Sequence, residues 1–381
     1  MSAFRFDPVD LPPECEALRG EVRDFIAGEL AARFWRPNSD FGSHRSAEFS
    51  RRLGAKGWIG MTWPKRYGGG ERSFLERYVV TEELVAAGAP VGLHWIADRQ
   101  SGPLLLRYGT EAQREEFLPG ITRGEIYFAI GMSEPDSGSD LASIRTRAVK
   151  VDGGYEVTGA KVWTSHAHVS HYAITLVRTG APGNDRHGGL SQLILDLQAP
   201  GVTIRPIVNL AGEHDFNEIV LDRAFVPADR LVGREGDGWR QVTSELAFER
   251  SGPERFLSAF RLLVELVRRA GKDPAPGVAE PIGRLAAHLW TLRQMSLSIA
   301  GMLQAGDMPN LEAALVKDLG GAYERDIPER ARELTARRCG AEADRFEAAL
   351  AEALLHAPSF TLRGGTREIL RGIIARGLGL R

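Results

Sequence analysis

The sequence predicts an α+β protein of three domains, helical at both ends of the chain and antiparallel β in the middle. Apolar residues recur at intervals of three and four through most of residues 1–126 and again through residues 236–381. In residues 127–235 they alternate with polar residues in short segments that end at glycine or proline. The first spacing is typical of helices and the second of strands, so these three ranges are the predicted domains.

The N-terminal domain is expected to contain two groups of helices. Leu18 and Val22 belong to a helical row early in the domain, and Val80 and Leu84 belong to a later one. The stretch Trp63–Gly70 lies between the two groups and contains a proline and three consecutive glycines, which end helices. We therefore expect a loop at this stretch.

The central domain contains short segments with the composition and alternation of strands. They are residues 126–130, 155–158, 172–177, 193–197, 202–205 and 218–221. Glycine pairs at 153–154 and 188–189 mark turns between these segments. Short strands separated by tight turns predict a compact antiparallel β domain.

The C-terminal domain is expected to be a set of helices, interrupted at residues 271–281 and 307–309. Its apolar residues form long rows, among them Leu262, Leu263, Leu266, Leu285, Leu289 and Leu292. These rows are longer than one small helical domain needs to cover. We therefore expect part of this surface to lie against other subunits of a dimer or tetramer.

Composition argues against several classes of protein. The 381 residues are 43% hydrophobic and 26% charged, as in globular proteins of more than one domain. A net charge of −2 provides no electrostatic attraction to nucleic acid or to an anionic membrane. There is no long apolar run and no recognisable secretory signal, and two cysteines are too few for a disulfide framework. These features predict a cytoplasmic protein.

Two motifs in the central domain predict its chemistry. The loop Gly131–Asp140 (GMSEPDSGSD) follows the first strand and is rich in residues that turn the chain and expose backbone N–H groups. Further on, Gly159–Ser165 (GAKVWTS) places an indole beside two hydroxyls at a strand end. A β-turn followed by a core tryptophan would explain either motif alone. Together they closely resemble the flavin-binding signatures of the acyl-CoA dehydrogenase family, and the resemblance extends over essentially the whole chain.

The resemblance implies an FAD cofactor and an acyl-CoA substrate. The positions implied for FAD are Ile130, Met132, Ser133, Gly138, Ser139, Trp163, Thr164, Ser165, Thr366 and Glu368. Those implied for the substrate are Ser139, Arg250 and Gly365. The electrons would pass to an electron-transfer flavoprotein.

The same resemblance assigns a catalytic base. In the family's reaction a carboxylate removes the α-proton of the thioester, while the β-hydrogen leaves as hydride to the flavin. Most members carry this carboxylate in a Tyr-Glu-Gly-Thr motif, which here is Arg363–Thr366 (RGGT), with Gly364 in place of the Glu. A branch similar to isovaleryl-CoA dehydrogenase has its Glu on an earlier helix, immediately before an Arg, and Glu249 and Arg250 match that pattern. We therefore predict that Glu249 is the base and that the backbone N–H of Gly364 donates to the thioester oxygen. The alternative is that Glu249 is an ordinary solvated carboxylate on a helix.

Two further motifs of the family are incomplete. Arg-x-x-Phe-Gly, which reaches the FAD pyrophosphate of a neighbouring subunit, is not intact near Val267–Gly271. The Gln-x-x-Gly-Gly segment expected near residues 335–350 is missing, with Cys339-Gly340 as its weak remnant. We expect the adenosine half of FAD to be held differently, more loosely, or by a different subunit, as in bacterial relatives that form mixed tetramers.

Two clusters of side chains have simpler explanations than ligand binding. His166, His168 and His171 have no carboxylate or cysteine to complete a metal site, so we predict no metal. Arg367, Arg371 and Arg376 lie at roughly turn spacing on a predicted helix and could meet a phosphate, but a solvated cationic face is more common.

The sequence therefore predicts an FAD-dependent acyl-CoA dehydrogenase that forms a homo-oligomer or a heterotetramer. Because Gly364 removes side-chain bulk opposite the acyl chain, we expect a branched, cyclic or otherwise bulky acyl group. Two other functions stay open, since a fold does not determine its chemistry. One is a non-catalytic subunit that completes the FAD site of a relative, which would be colourless alone. The other is a flavin oxidase or monooxygenase, which would consume oxygen without another acceptor.

Overall fold

The chain forms two compact units in a computed structural model. The model describes residues 4–40, 42, 44–181, 185–334 and 344–380, and for residues 245–249 it describes the backbone alone. The first unit comprises residues 1–44, 72–91 and 247–381, and the second comprises residues 45–71 and 92–246. The boundaries of the three domains expected from the sequence remain a prediction.

The described part of the chain contains twelve helices and seven strands, and the predicted α+β class is confirmed. The helices are α1 (Pro13–Ala31), α2 (Ala47–Ala55), α3 (Phe74–Ala86), α4 (Gly92–Ile96), α5 (Gly102–Tyr108), α6 (Glu111–Thr122), α7 (Gly238–Glu249), α8 (Phe260–Ala270), α9 (Pro276–Gln304), α10 (Asn310–Leu334), α11 (Arg345–Phe360) and α12 (Arg367–Gly377). The strands are β1 (Phe128–Gly131), β2 (Arg147–Val151), β3 (Gly154–Lys161), β4 (Tyr172–Arg178), β5 (Leu190–Asp196), β6 (Val202–Val208) and β7 (His214–Pro227).

The helices of the first unit pack through the apolar rows that the sequence predicts. Leu18 and Val22 of α1 are buried, as their spacing requires. A buried carboxylate on α3, Glu82, accepts hydrogen bonds from Arg19 of α1 at 2.8 Å and from Arg293 of α9 at 2.6 Å. Because each charge has partners of opposite sign, this polar contact ties three helices together within an apolar interior.

The second unit is built around the seven-stranded sheet. Its strand order is β1-β4-β2-β3-β7-β6, and β5 also pairs with β4. The β2–β3, β3–β7, β4–β5 and β6–β7 pairs are antiparallel, as predicted. β1 instead lies parallel to β4, with Phe128 opposite Tyr172. β2 also runs parallel to β4 where Arg147 lies opposite Arg178, so the sheet is mixed and not purely antiparallel.

Two elements differ from the sequence prediction. β2 was not predicted from the sequence, and four of its five side chains are exposed. α9 begins at Pro276, within the stretch that we expected to be a loop, and continues through Pro281. Proline suits the first position of a helix, where its missing N–H would have no partner.

The leucine rows of the C-terminal helices are largely covered within the first unit. Leu262 and Leu292 are fully buried, and the exposed apolar side chains nearby are Val267 and Trp290, which are 47% and 62% exposed. These two line a groove of about 360 Å³ between α8 and α9, together with Phe260, Leu263, Val264, Arg268, Ala286, Leu289 and Arg293. The case for a subunit contact therefore rests on this groove and not on the length of the leucine rows.

Within the described ranges, none of the helices has the length and apolar character needed to cross a membrane.

Candidate active site

A buried ion pair joins the loop after β1 to the end of β3. The Lys161 Nζ atom lies 2.8 Å from Glu134 Oε1 and donates to the Met132 carbonyl oxygen at 3.1 Å. The backbone N–H of Val162 donates to the Ser133 carbonyl oxygen at 2.9 Å. These bonds bring the two sequence motifs together, and they place the Ser133 backbone directly beside the segment that leads to Trp163.

Glu134 is satisfied on both of its oxygens. Besides Lys161, it accepts the backbone N–H groups of Arg145 at 2.6 Å and Thr146 at 2.9 Å. Burial lowers the pKa of Lys161 to about 8. Burial alone would raise the pKa of Glu134, but the charge of Lys161 and these hydrogen bonds lower it below its ordinary value. A buried carboxylate with this many partners holds the loop in one conformation.

Sequence reasoning assigned no role to Glu134 or Lys161, although both stand inside the quoted motifs. The signal that could have found Lys161 is a lysine directly before the apolar Val162 and Trp163 at the end of a predicted strand. A charged residue in such a place usually has a buried partner of opposite charge. The sequence cannot show which carboxylate that partner is.

Trp163 presents its indole outward from the second unit. Its backbone has φ +59°, in the left-handed region that residues with a Cβ rarely adopt, and its side chain is 60% exposed. Phe216 packs edge-on against the indole at 6.0 Å between ring centroids. The next residue, Thr164, is buried; its backbone N–H donates to the Asn217 carbonyl oxygen, and the Asn217 side-chain Nδ2 donates to the Thr164 carbonyl oxygen, each at 3.0 Å. The backbone next to the exposed indole is therefore fixed by the hydrogen bonds between Thr164 and Asn217.

The hydroxyls around this indole are available to a ligand. Ser133 and Ser165 are half-buried, and their hydroxyls form no hydrogen bond with the described residues, whereas Thr164 is fully buried. Ile130 and Met132 are also half-buried, and Gly138 and Ser139 are exposed. A flavin is a flat ring with hydrogen-bonding edges, so an exposed aromatic face with short hydroxyl donors is a donor set that fits it.

The histidines of this region support the tryptophan turn. His168 and His214 are stacked with 3.7 Å between ring centroids, and both lie within hydrogen-bond distance of Asn217 Oδ1, at 3.2 and 2.8 Å. His166 and His168 do not lie on a strand, because His166 has φ +57° and is followed by a 3₁₀ turn. Over the residues that the structure covers, there is no group of three or more His, Cys, Asp or Glu side chains that could hold a metal ion.

In the first unit, the turn between α11 and α12 contains Gly364 and Gly365, of which Gly365 is one of the positions implied for the substrate. Gly364 and Gly365 have φ of +69° and +100°, so a side chain at either position would be strained. Arg250 is buried, and its Nε donates to the Gly364 carbonyl oxygen at 3.2 Å. A Cβ on Gly365 would lie only 3.3 Å from the Arg250 guanidinium. The two glycines allow the turn to lie directly against this arginine.

The turn leads into α12, whose first residues were also implied in binding. Thr366 is the residue before the helix, and Glu368 is exposed in its first turn. The backbone N–H of Glu368 and the hydroxyl of Thr366 lower the pKa of the Glu368 carboxyl. Arg367 and Arg371 pair with Asp318 of α10, their Nε atoms lying 2.7 and 3.5 Å from its carboxylate, while the Arg371 side chain stays largely exposed to solvent.

The predicted base, Glu249, lies at the C-terminal end of α7, immediately before Arg250. Its side chain lies outside the described residues, and its role as base stays a prediction.

The arginines near the incomplete Arg-x-x-Phe-Gly motif are paired within the first unit. Arg268 donates to Glu265 at 2.6 Å, and Arg269 donates to Asp344 at 3.1 Å. The remnant Cys339-Gly340 of the other motif lies outside the described residues.

Comparison with protein families resolves the identity of the scaffold. Models of the N-terminal, middle and C-terminal domains of acyl-CoA dehydrogenases match residues 12–125, 129–224 and 236–379. The chain belongs to the acyl-CoA dehydrogenase family. It is therefore an oxidoreductase of a family of flavoproteins, and family membership implies a flavin cofactor.

Individual relatives of this acyl-CoA dehydrogenase match along nearly its whole length. Acyl-CoA dehydrogenase IpdE1 of Mycobacterium tuberculosis (strain ATCC 25618 / H37Rv) is 35% identical, with 96% of this chain and 98% of the relative aligned. A solved structure titled Tcur3481-Tcur3483 steroid ACAD has a TM-score of 0.88 at 30% identity, covering 98% of this chain and 100% of the other. The ChsE4-ChsE5 complex from Mycobacterium tuberculosis has a TM-score of 0.84 at 29% identity, with the same coverage.

Proposed function

We propose that this acyl-CoA dehydrogenase uses FAD to convert a bulky acyl-CoA thioester into the 2-enoyl-CoA, and that an electron-transfer flavoprotein receives the electrons. The observation that carries the proposal is the Gly364-Gly365 turn held by Arg250. It stands where most members of the family have their catalytic Glu, and it carries no side chain at two successive positions. A ring-bearing acyl group needs space of this kind, and the resemblance to a protein titled a steroid ACAD supports the same substrate class.

The proposed chemistry divides between a base and a hydrogen-bond donor. The FAD, when bound, accepts the β-hydrogen of the substrate as hydride. Glu249 removes the α-proton, and the backbone N–H of Gly364 donates to the thioester oxygen, where negative charge develops. Arg250 keeps the turn in place through the Gly364 carbonyl, and together with Gly365 it contacts the substrate.

Each residue implied in binding is proposed to contact a particular part of the cofactor or the substrate. Trp163, Ser133 and Ser165 bind the flavin ring, with Ile130, Met132, Gly138 and Thr164 shaping the surrounding backbone. Ser139 is exposed and contacts the CoA part of the substrate, and Thr366 and Glu368 contact the cofactor from the first turn of α12. The three domains proposed for these roles are residues 1–126, 127–235 and 236–381.

The visible spectrum of the purified protein tests this function directly. We expect flavin absorbance that is lost on adding acyl-CoA under nitrogen, faster with ring-bearing acyl groups than with butyryl- or octanoyl-CoA. A protein that stays colourless after reconstitution with FAD would contradict the proposal and favour a non-catalytic subunit, which the incomplete Arg-x-x-Phe-Gly and Gln-x-x-Gly-Gly motifs would explain. Rapid oxygen consumption without another acceptor would instead favour an oxidase.

We also propose that the chain assembles with a second copy or with a related chain through the groove between α8 and α9. Trp290 is the most exposed apolar side chain of this groove, and the two solved structures cited above are titled with pairs of proteins. An exposed apolar groove of this kind is a common feature of subunit contacts.

Sedimentation equilibrium should therefore give two or four times the mass of one chain. Trp290→Asp should shift the distribution toward the monomer, because it places a charge in an apolar contact. Phe225→Asp is the matched control, since Phe225 is an exposed aromatic residue on β7 and should leave the mass unchanged. A stable, active monomer with bound FAD would contradict the assembly.

A further inference from the structure

Arg363, the residue directly before Gly364, is anchored in the interior of the first unit. Its Nη1 donates to Asp40 Oδ1 at 2.9 Å, and its Nη2 donates to Ser258 Oγ at 2.5 Å and to Glu324 Oε2 at 3.1 Å. The guanidinium also lies over the Phe360 ring, 4.8 Å from its centroid. One side chain thus connects the turn to the N-terminal segment, to the stretch before α8 and to α10.

The partners of Arg363 are themselves fixed. Glu324 is fully buried, and its second oxygen accepts the backbone N–H of Ser258 at 2.8 Å. The second oxygen of Asp40 lies 3.6 Å from His356 Nδ1 on α11. A planar guanidinium group forms directed hydrogen bonds with carboxylates in a way that an ammonium group cannot. The arrangement therefore fixes the direction of the Arg363 side chain and also compensates its charge.

Backbone groups on both sides of Arg363 are also held by cations. Lys317, which is buried, donates to the Phe360 carbonyl oxygen at 2.7 Å, and Arg250 donates to the Gly364 carbonyl oxygen at 3.2 Å. The N–H of Gly364 belongs to the planar peptide group between these two points. Anchoring of the Arg363 side chain before it and of the Gly364 carbonyl after it restricts the rotation of this peptide group.

We propose that Arg363 is a positioning residue that aims the Gly364 N–H at the thioester oxygen, with Asp40, Ser258 and Glu324 as its anchors. The proposal rests on the function proposed above. Arg363 and its three anchors form a clamp that orients the donor. The turn contains two successive glycines and would be the least restrained part of the site without this clamp. Preorganised donors contribute to rate because they need no reorganisation in the transition state.

Arg363→Lys tests the clamp, because it keeps the charge and removes the forked geometry. We expect the rate constant of flavin bleaching at saturating acyl-CoA to fall by about 10- to 100-fold, the usual effect of a misplaced reacting group or donor. Flavin content and the Kd for acyl-CoA should stay within about twofold of the wild type, since binding uses other contacts. The carbonyl stretch of a bound, isotopically labelled 3-thia-acyl-CoA should move toward its value in water, because a correctly aimed donor lowers that frequency.

Arg261→Lys is the matched control. Arg261 also links the N-terminal segment to α11, through the Pro37 carbonyl oxygen at 2.8 Å and Glu352 at 3.1 Å, but among the residues that the structure describes it forms no hydrogen bond with the turn. It should change neither the bleaching rate nor the carbonyl frequency. If Arg363→Lys fails to fold, Ser258→Ala removes one anchor and leaves every charge, and it should slow bleaching by about 3- to 10-fold.

The outcomes separate this proposal from the one on which it rests. If the wild-type flavin is not bleached by any acyl-CoA, the proposed function is wrong. If the wild type is bleached, and Arg363→Lys or Ser258→Ala shows the wild-type rate and carbonyl frequency, the function stands and the positioning role is wrong. If Arg261→Lys loses as much rate as Arg363→Lys, the effect comes from the general packing of the first unit and not from the bonds of Arg363, and the proposal is wrong.

Discussion

Glu249→Gln should slow the bleaching of the flavin by acyl-CoA by about 10²–10⁴, the usual contribution of a general base. Glutamine keeps the size of the side chain and much of its hydrogen bonding, but it cannot accept the α-proton. Stopped-flow absorbance under nitrogen measures the rate directly. Flavin content and the Kd for acyl-CoA should stay near those of the wild type, which separates lost chemistry from lost binding.

Glu245→Gln provides the control for this variant, because Glu245 lies one turn earlier on α7 and has no assigned role. It should bleach at the wild-type rate. If Glu249→Gln also bleaches at that rate, Glu249 is not the base, and Glu368 in the first turn of α12 becomes the next carboxylate to test.

Lys161→Met should destabilise the second unit by about 3–5 kcal/mol and abolish tight flavin binding. The change leaves Glu134 buried without its cation, and breaking a buried ion pair from one side typically has this effect. It also removes the bond to the Met132 carbonyl oxygen, so the loop is no longer held against the segment that leads to Trp163. Urea unfolding of the apoprotein measures the free energy of unfolding, and quenching of flavin fluorescence measures the Kd for FAD.

The double variant Lys161→Met with Glu134→Gln distinguishes the two effects. It contains no unpaired charge, so we expect much of the free energy of unfolding to return. The Kd for FAD should remain raised, because the bond from residue 161 to the Met132 carbonyl oxygen is still missing. An unchanged Kd for FAD in Lys161→Met itself would show that the ion pair contributes to stability alone.

Features that depend on neighbouring residues could be read directly from the sequence. The order of helical, β and helical regions follows from local periodicity, and the burial of Leu18 and Val22 agrees with it. The two flavin motifs and the replacement of Glu by Gly364 are also visible there, since each is a short run of residues. β2 was not predicted, and its Val149 and Val151 are exposed although they alternate with the polar Lys150.

Only the tertiary structure decided which charged groups meet. Asp40 and Arg363 are separated by 323 positions, and Glu134 and Lys161 by 27, yet each pair is in direct contact. Asp318 on α10 likewise pairs with two of the three arginines of α12, Arg367 and Arg371, which the sequence presented as an ordinary cationic face. Periodicity identifies the buried face of an element, but any of the chain's many carboxylates could pair with a given cation. The choice among them is made when the helices and strands pack, because a charge removed from water is stable only beside the partner that the fold places next to it.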